Sequence, residues 1–150
     1  MAREQVPDHG DLDLRYLTEG GRYGRQAGGM TAIANLVMVN IDGPDPAALA
    51  RFYHQVLGWE VTHSEHEYAM ISDGTTSIGF GRVEDYQPPA WPNPGGTKQF
   101  HLDVGVEDLD KAEELYLAAG ATKPEFQPGG ERWRVLIDPA GHPFCICPRG

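Results

Sequence analysis

The sequence predicts an α+β fold in which two tandem βαβββ modules form curved mixed sheets around a cleft. Two observations predict it. First, Asp45-Pro46-Ala47-Ala48-Leu49-Ala50-Arg51-Phe52-Tyr53 and Asp108-Leu109-Asp110-Lys111-Ala112-Glu113-Glu114-Leu115-Tyr116, 63 positions apart, read as the same block. Second, each block follows an alternating strand, carries a helical apolar stripe and leads through a glycine into further strands. Two open sheets produced by such a duplication enclose one cleft to which both halves contribute.

In the first module, Ile33 to Ile41 alternates as a strand, and Pro44-Asp45-Pro46 stops it. Asp45 is placed to cap a helix and Pro46 to occupy its first turn. Leu49, Phe52, Tyr53, Val56 and Leu57 recur at helical spacing, giving one apolar face, and Gly58 ends the helix. Strands are expected near Trp59 to His63, Tyr68 to Ser72 and Ser77 to Val83, with Asp73-Gly74 turning between the last two.

Residues 84–97 carry Pro88, Pro89, Pro92, Pro94, Gly95 and Gly96 and read as a linker. The order then repeats: a strand at Lys98 to Val106, a helix from Asp108 to Ala119 closed by Gly120, and strands near Ala121 to Phe126, Arg132 to Ile137 and Phe144 to Cys147. Pro128-Gly129-Gly130 turns one hairpin and Asp138-Pro139-Ala140-Gly141-His142 the other. The modules thus span about 33–83 and 98–147, within a domain covering 30–150.

Residues 1–29 contain six glycines and few apolar residues without sustained period, so they cannot offset their ordering entropy and read as a flexible arm. Met30-Thr31-Ala32 would serve equally well as the start of the protein proper. Leu12, Leu14 and Tyr16 alternate and could add a strand to a neighbouring molecule.

With 150 residues, 40% of them hydrophobic, the chain can bury a core but is short for two independent domains. A net charge of −10 without a Lys/Arg cluster argues against nucleic acid and disfavours anionic membranes. No apolar run approaches the roughly 20 residues of a membrane span, and the N-terminus lacks the apolar core of a signal peptide, so a cytoplasmic location is expected. The cysteines, Cys145 and Cys147, lie two apart on one predicted strand, where an unstrained mutual disulfide is disfavoured.

Strand alternation assigns the faces. Val37, Val39 and Ile41 are expected to pack under the first helix, leaving Met38 and Asn40 on the concave side. Phe100, Leu102 and Val104 are expected under the second helix, with His101 and Asp103 on the concave side. Phe144 and Ile146 pack, and Cys145 and Cys147 look into the cleft. Met38, Tyr68 or Met70, Phe80, Trp91 and Trp133 are candidates to line or cover that surface, which suits a planar or bulky organic molecule. Trp91, among prolines, is placed to close as a lid, whereas Trp59 is assigned to the core. His101 reads as a polar group of the pocket or a structural histidine, and His101 with Asp103 could act as base and orienting acid. His63, Glu65, His66 and Glu67 read as a solvated edge, and His142 as an exposed turn residue.

The βαβββ order, with Phe52-Tyr53, Leu57-Gly58-Trp59, Phe100-His101-Leu102-Asp103-Val104 and Asp138-Pro139-Ala140-Gly141 in register, resembles the vicinal oxygen chelate superfamily. This group includes glyoxalase I, bleomycin-resistance proteins, fosfomycin-resistance enzymes and extradiol dioxygenases, and the chain is most similar to its glyoxalase-like branch over about residues 33–147. The resemblance implies the glyoxalase/bleomycin-resistance fold, a homodimer and a divalent ion held by His and Glu from the first and last strands of both modules. Carried over residue by residue, the ligand positions fall on Met38, near Gly79 or Gly81, on His101 and on Cys145. His101 alone is a matching hard-metal ligand, so a complete metal site is not expected, though a divalent metal stays open. The resemblance then implies a binder that sequesters an antibiotic or natural product. The alternative is an enzyme, a lyase, isomerase or dioxygenase, using a metal or a His101 base.

Overall fold

A computed structural model describes residues 36–93 and 100–149. Every named element lies in the unit Met38–Gly150. In chain order these are β1 (Met38–Gly43), α1 (Pro46–Leu57), β2 (Glu60–Ser64), β3 (Tyr68–Ser72), β4 (Ser77–Arg82), β5 (Asp103–Val106), α2 (Leu109–Ala118), β6 (Arg134–Ile137) and β7 (Pro143–Pro148). The fold is α+β, with sheets ordered β1-β4-β3-β2 and β5-β7-β6. In both sheets the first strand of the module runs parallel to the last, and the remaining pairs are antiparallel.

Local chemistry explains the helices. Asp45 lies in extended backbone and its carboxylate accepts from Ala48 N–H at 2.9 Å, while Gly58 closes α1 in the left-handed region at φ 72°. Asp108 does the same for α2, accepting from the amides of Asp110 and Lys111. The buried face of α1 contains Leu49, Phe52 and Tyr53 of the stripe that sequence periodicity gave, together with Ala50.

One aromatic core joins the modules. Tyr53 stacks on Phe80 of β4 at 5.5 Å, and Phe52 meets Phe144 of β7 at 6.0 Å and Tyr116 of α2 at 6.3 Å. Phe80 therefore belongs to the helix side of its sheet, not to the concave lining where it was expected. Alternation is the reason: Phe80 lies between Gly79 and Gly81, and these glycines take the opposite face.

Other expectations are corrected at strand ends. β1 starts at Met38 because its parallel partner begins opposite it, at Ser77; Leu36 and Val37 precede it, and Val37 is 44% exposed rather than packed. Residues 33–35 and 94–99, with the start of the predicted strand at Lys98, lie outside the described residues, as does the arm 1–29. Phe100 precedes β5 and is 79% exposed, so it does not pack under α2, whereas Leu102 and Val104 do lie against the core. The strand expected at Ala121 to Phe126 reduces to one bridge, Thr122 to Ile137, because Pro124 cannot donate to a ladder and interrupts it. Trp59 is only half-buried at the edge of the core.

Candidate functional site

Side chains from both modules converge where β1 meets the residues that lead into β5. Met38 and Asn40 share the concave face with Tyr68 of β3, whose hydroxyl donates to Met38 Sδ at 3.2 Å and to Asn40 Oδ1 at 3.5 Å. They meet over Gly79, where a Cβ would come within 2.2 Å of both Asn40 Oδ1 and the Tyr68 oxygen. Glycine at 79 is thus the condition for this close approach. Burial pushes the Tyr68 phenol above its ordinary value, so it remains a donor.

On the second module, His101 Nε2 lies 3.3 Å from Asp103 Oδ1. Asp103 sits opposite Cys145 across the parallel β5–β7 pair, and His101, Asp103 and Cys145 each bring one donor atom within 4.8 Å of the others. Cys145 is buried, with 2% exposure, and Cys147 is half-buried. Cys145 therefore does share the concave face with Asp103, but it is covered rather than open to the cleft.

A cavity of about 210 Å³, roughly seven times a water molecule's share of liquid volume, lies between the modules. Asn40 and Asp42 line it from the first module, and Phe100, His101 and His142 from the second. A larger open groove of about 990 Å³ runs between the end of α1 and the β5–α2 edge, lined mainly by apolar residues such as Val56, Leu57, Val104 and Leu115. The smaller cavity collects the chemistry, because the imidazoles and the Asn40 amide line it and the groove has neither.

His142 is the residue that sequence reasoning missed. It is not an exposed turn residue: its side chain is 21% exposed and held on both sides. Asp138 is a carboxylate and can only accept, so His142 Nδ1–H donates to it at 3.1 Å, leaving Nε2 to accept from the Tyr86 hydroxyl at 2.8 Å. Asp138, itself 3% exposed, also accepts from Tyr53 Oη at 2.9 Å and from the amides of Ala140 and His142. Burial, then the Asp138 charge, raises the Tyr53 phenol well above its ordinary value of 10.0, and burial with Asp138 and Asp42 pushes Tyr86 up to about 12. The turn sequence at 138–142 was visible; its long-range partners Tyr53 and Tyr86 were not.

The remaining candidates lie away from these contacts. Trp91 is half-buried with its ring 5.8 Å from Phe126, and Trp133 is half-buried against the backbone of Gly129. His66 and Glu67 form an exposed pair with Arg82, as expected of a solvated edge.

The metal pattern of the superfamily does not fit this chain as two modules. Met38 offers a thioether engaged by Tyr68, and Gly79 and Gly81 offer no side chain, so the first module brings no hard donor to those positions.

A glyoxalase-like domain profile matches residues 38–147. Among solved structures, a glyoxalase/bleomycin resistance protein/dioxygenase family enzyme from Burkholderia phytofirmans is 25% identical, with a TM-score of 0.56 over 75% of this chain and 97% of that one. A glyoxalase-related enzyme from Fulvimarina pelagi is 18% identical, TM-score 0.56, over 78% and 89%. A bleomycin-binding protein from Streptomyces verticillus, solved with copper(II)-bleomycin, is 15% identical, TM-score 0.51, over 80% and 100%. The last two similarities concern the fold alone. No curated protein matches the sequence. Among the described residues, no helix is long and apolar enough to cross a membrane.

Proposed function

The chain belongs to the glyoxalase-like domain family, and from that premise we propose that it is a small-molecule-binding protein holding a compact organic ligand between its two modules. The observation that carries this reading is the cavity of about 210 Å³, to which one module brings Asn40 and Asp42 and the other His101 and His142. A pocket with apolar walls and a few fixed polar groups orients a ligand without needing a reactive centre. The finer reading is sequestration of an antibiotic or natural product, by analogy with the Streptomyces verticillus protein. Residues 30–150 carry 8 Lys/Arg against 17 Asp/Glu, a balance of −9 that favours a cationic ligand.

A thermal-shift screen against cationic aromatic and peptide antibiotics tests this, because a ligand of the folded state raises the melting temperature in proportion to occupancy. The best hit should be weakened at least about tenfold by His101→Ala, with the unliganded protein still folded. Trp91→Ala should weaken it too if the Trp91–Phe126 pair covers the cleft. Hits indifferent to both substitutions would place binding elsewhere.

The His101–Asp103 contact favours a second reading, an enzyme of the lyase, isomerase or dioxygenase kind with His101 as base or metal ligand. Its sign would be a stoichiometric divalent ion whose removal abolishes a turnover. Under either reading we propose a homodimer, for which light scattering should return twice the chain mass.

A further inference from the structure

We infer, resting on the proposed function, that the cavity between the modules selects a compact organic ammonium ion and that Asp42 is the residue that reads its charge. Asp42 is the one carboxylate among the described residues of the cavity wall. The pairing of β1 with β4 sets its position. Asn40 and Asp42 are two apart on β1 and so share the concave face, and the parallel register places Gly79 opposite the first and Gly81 opposite the second. A Cβ at position 81 would lie 2.9 Å from Asp42 Oδ1, so the glycine lets the carboxylate lie down over β4.

The other polar groups of the wall are engaged within the protein. His101 Nε2 lies 3.3 Å from Asp103, His142 is held between Asp138 and Tyr86, the Tyr53 hydroxyl donates to Asp138, and Asn40 Oδ1 accepts from Tyr68. The Asp42 carboxylate has neither a hydrogen bond nor an ion pair among the described residues, and Arg82, which follows Gly81 on β4, pairs with Glu67 instead. Its charge nonetheless acts across the site, because burial, Asp138 and then Asp42 push the Tyr86 phenol up to about 12. A carboxylate without a cation, beside the apolar Ile41, Phe100 and Phe144, suits a protonated amine on an apolar body. The ammonium donates charge-assisted hydrogen bonds to Asp42 and the body covers the apolar wall. An anionic ligand would meet like charge at the same place.

Calorimetric titration of the full chain with 2-phenylethylamine and 2-phenylethanol, which match in shape and differ in charge at neutral pH, tests the assignment. The amine should bind at least about tenfold more tightly than the alcohol. Asp42→Asn, at an exposed position whose change leaves the core intact, should abolish that preference and leave the affinity for the alcohol unchanged. Glu114→Gln removes the same charge from an exposed position of α2 outside the cavity wall and should keep the preference, which separates Asp42 from the overall negative charge. Equal affinity for the two probes, a preference that survives Asp42→Asn, or one that falls as far with Glu114→Gln overturns the inference and leaves the proposed function standing. Binding of neither probe also overturns it, while the thermal-shift screen, which depends on neither, decides the proposed function separately.

Discussion

Asp138 accepts hydrogen bonds from Tyr53, His142 and two turn amides, and single substitutions around it should be unequal. Asp138→Ala strands the Tyr53 hydroxyl and two turn amides in the interior, and should cost roughly 3 kcal/mol or more by chemical denaturation. Tyr53→Phe removes one donor and should cost about 1–2 kcal/mol. Tyr116 is the reverse case: its hydroxyl is buried and has no hydrogen-bond partner among the described residues, so Tyr116→Phe should leave stability unchanged or raise it. Burial pushes the Tyr116 phenol to about 12. Folded phenol values above the unfolded value of 10.0 mean that this stabilisation is complete below pH 10 and is lost as pH rises through the folded values. Alkaline unfolding should therefore begin above pH 10, followed by tyrosinate absorbance. Gly79→Ala should push Tyr68 off Asn40 and weaken any ligand that the concave face contacts, with binding loss exceeding stability loss.

Among the elements, α2 is tied to its sheet by ion pairs as well as by packing. Arg134 of β6 reaches Asp110 and Glu113 of the helix, and Lys123 also pairs with Glu113. Burial alone would raise the Glu113 carboxyl, but hydrogen bonds from Lys123 and Arg134 outweigh it and hold it below its ordinary value of 4.5. A depressed folded value contributes stability that is present above pH 4.5 and is lost as pH falls through the folded value. Acid denaturation should accordingly start below that point, and Glu113→Gln should flatten the profile there. Helix boundaries were legible in the sequence because a cap is a local device: Asp45, Pro46 and Gly58 act within one turn of chain. Strand ends were less so. β1 is bounded by where its partner strand begins, and the segment at Ala121 is undone by a proline whose effect depends on pairing.

At the scale of the whole molecule, the two modules share a core rather than merely adjoining. Phe52 of the first module lies against Tyr116 and Phe144 of the second, and Gly43 approaches Ala140 so closely that a Cβ there would lie 3.3 Å from its methyl. Phe144→Ala should cost about 3–5 kcal/mol and unfold both modules in one transition by calorimetry. Separate transitions would mean that each module keeps its own core.

The duplicated helix blocks, their caps and the period-two strands determined by themselves an α+β chain of two βαβββ-like modules, because these signals lie within a few residues of one another. They also placed Met38, Asn40, Tyr68 and His101 on a common side, since alternation is a property of any strand. Only the tertiary structure decided which of those residues meet. Phe80 went to the core because an α1 tyrosine lies over it, His142 became a cavity residue through partners 4 and 56 positions away, and Asp103 came beside Cys145 through strand register. Most of these contacts span tens of residues, and period-two alternation fixes which face a residue takes but not which residue of a distant strand stands opposite it.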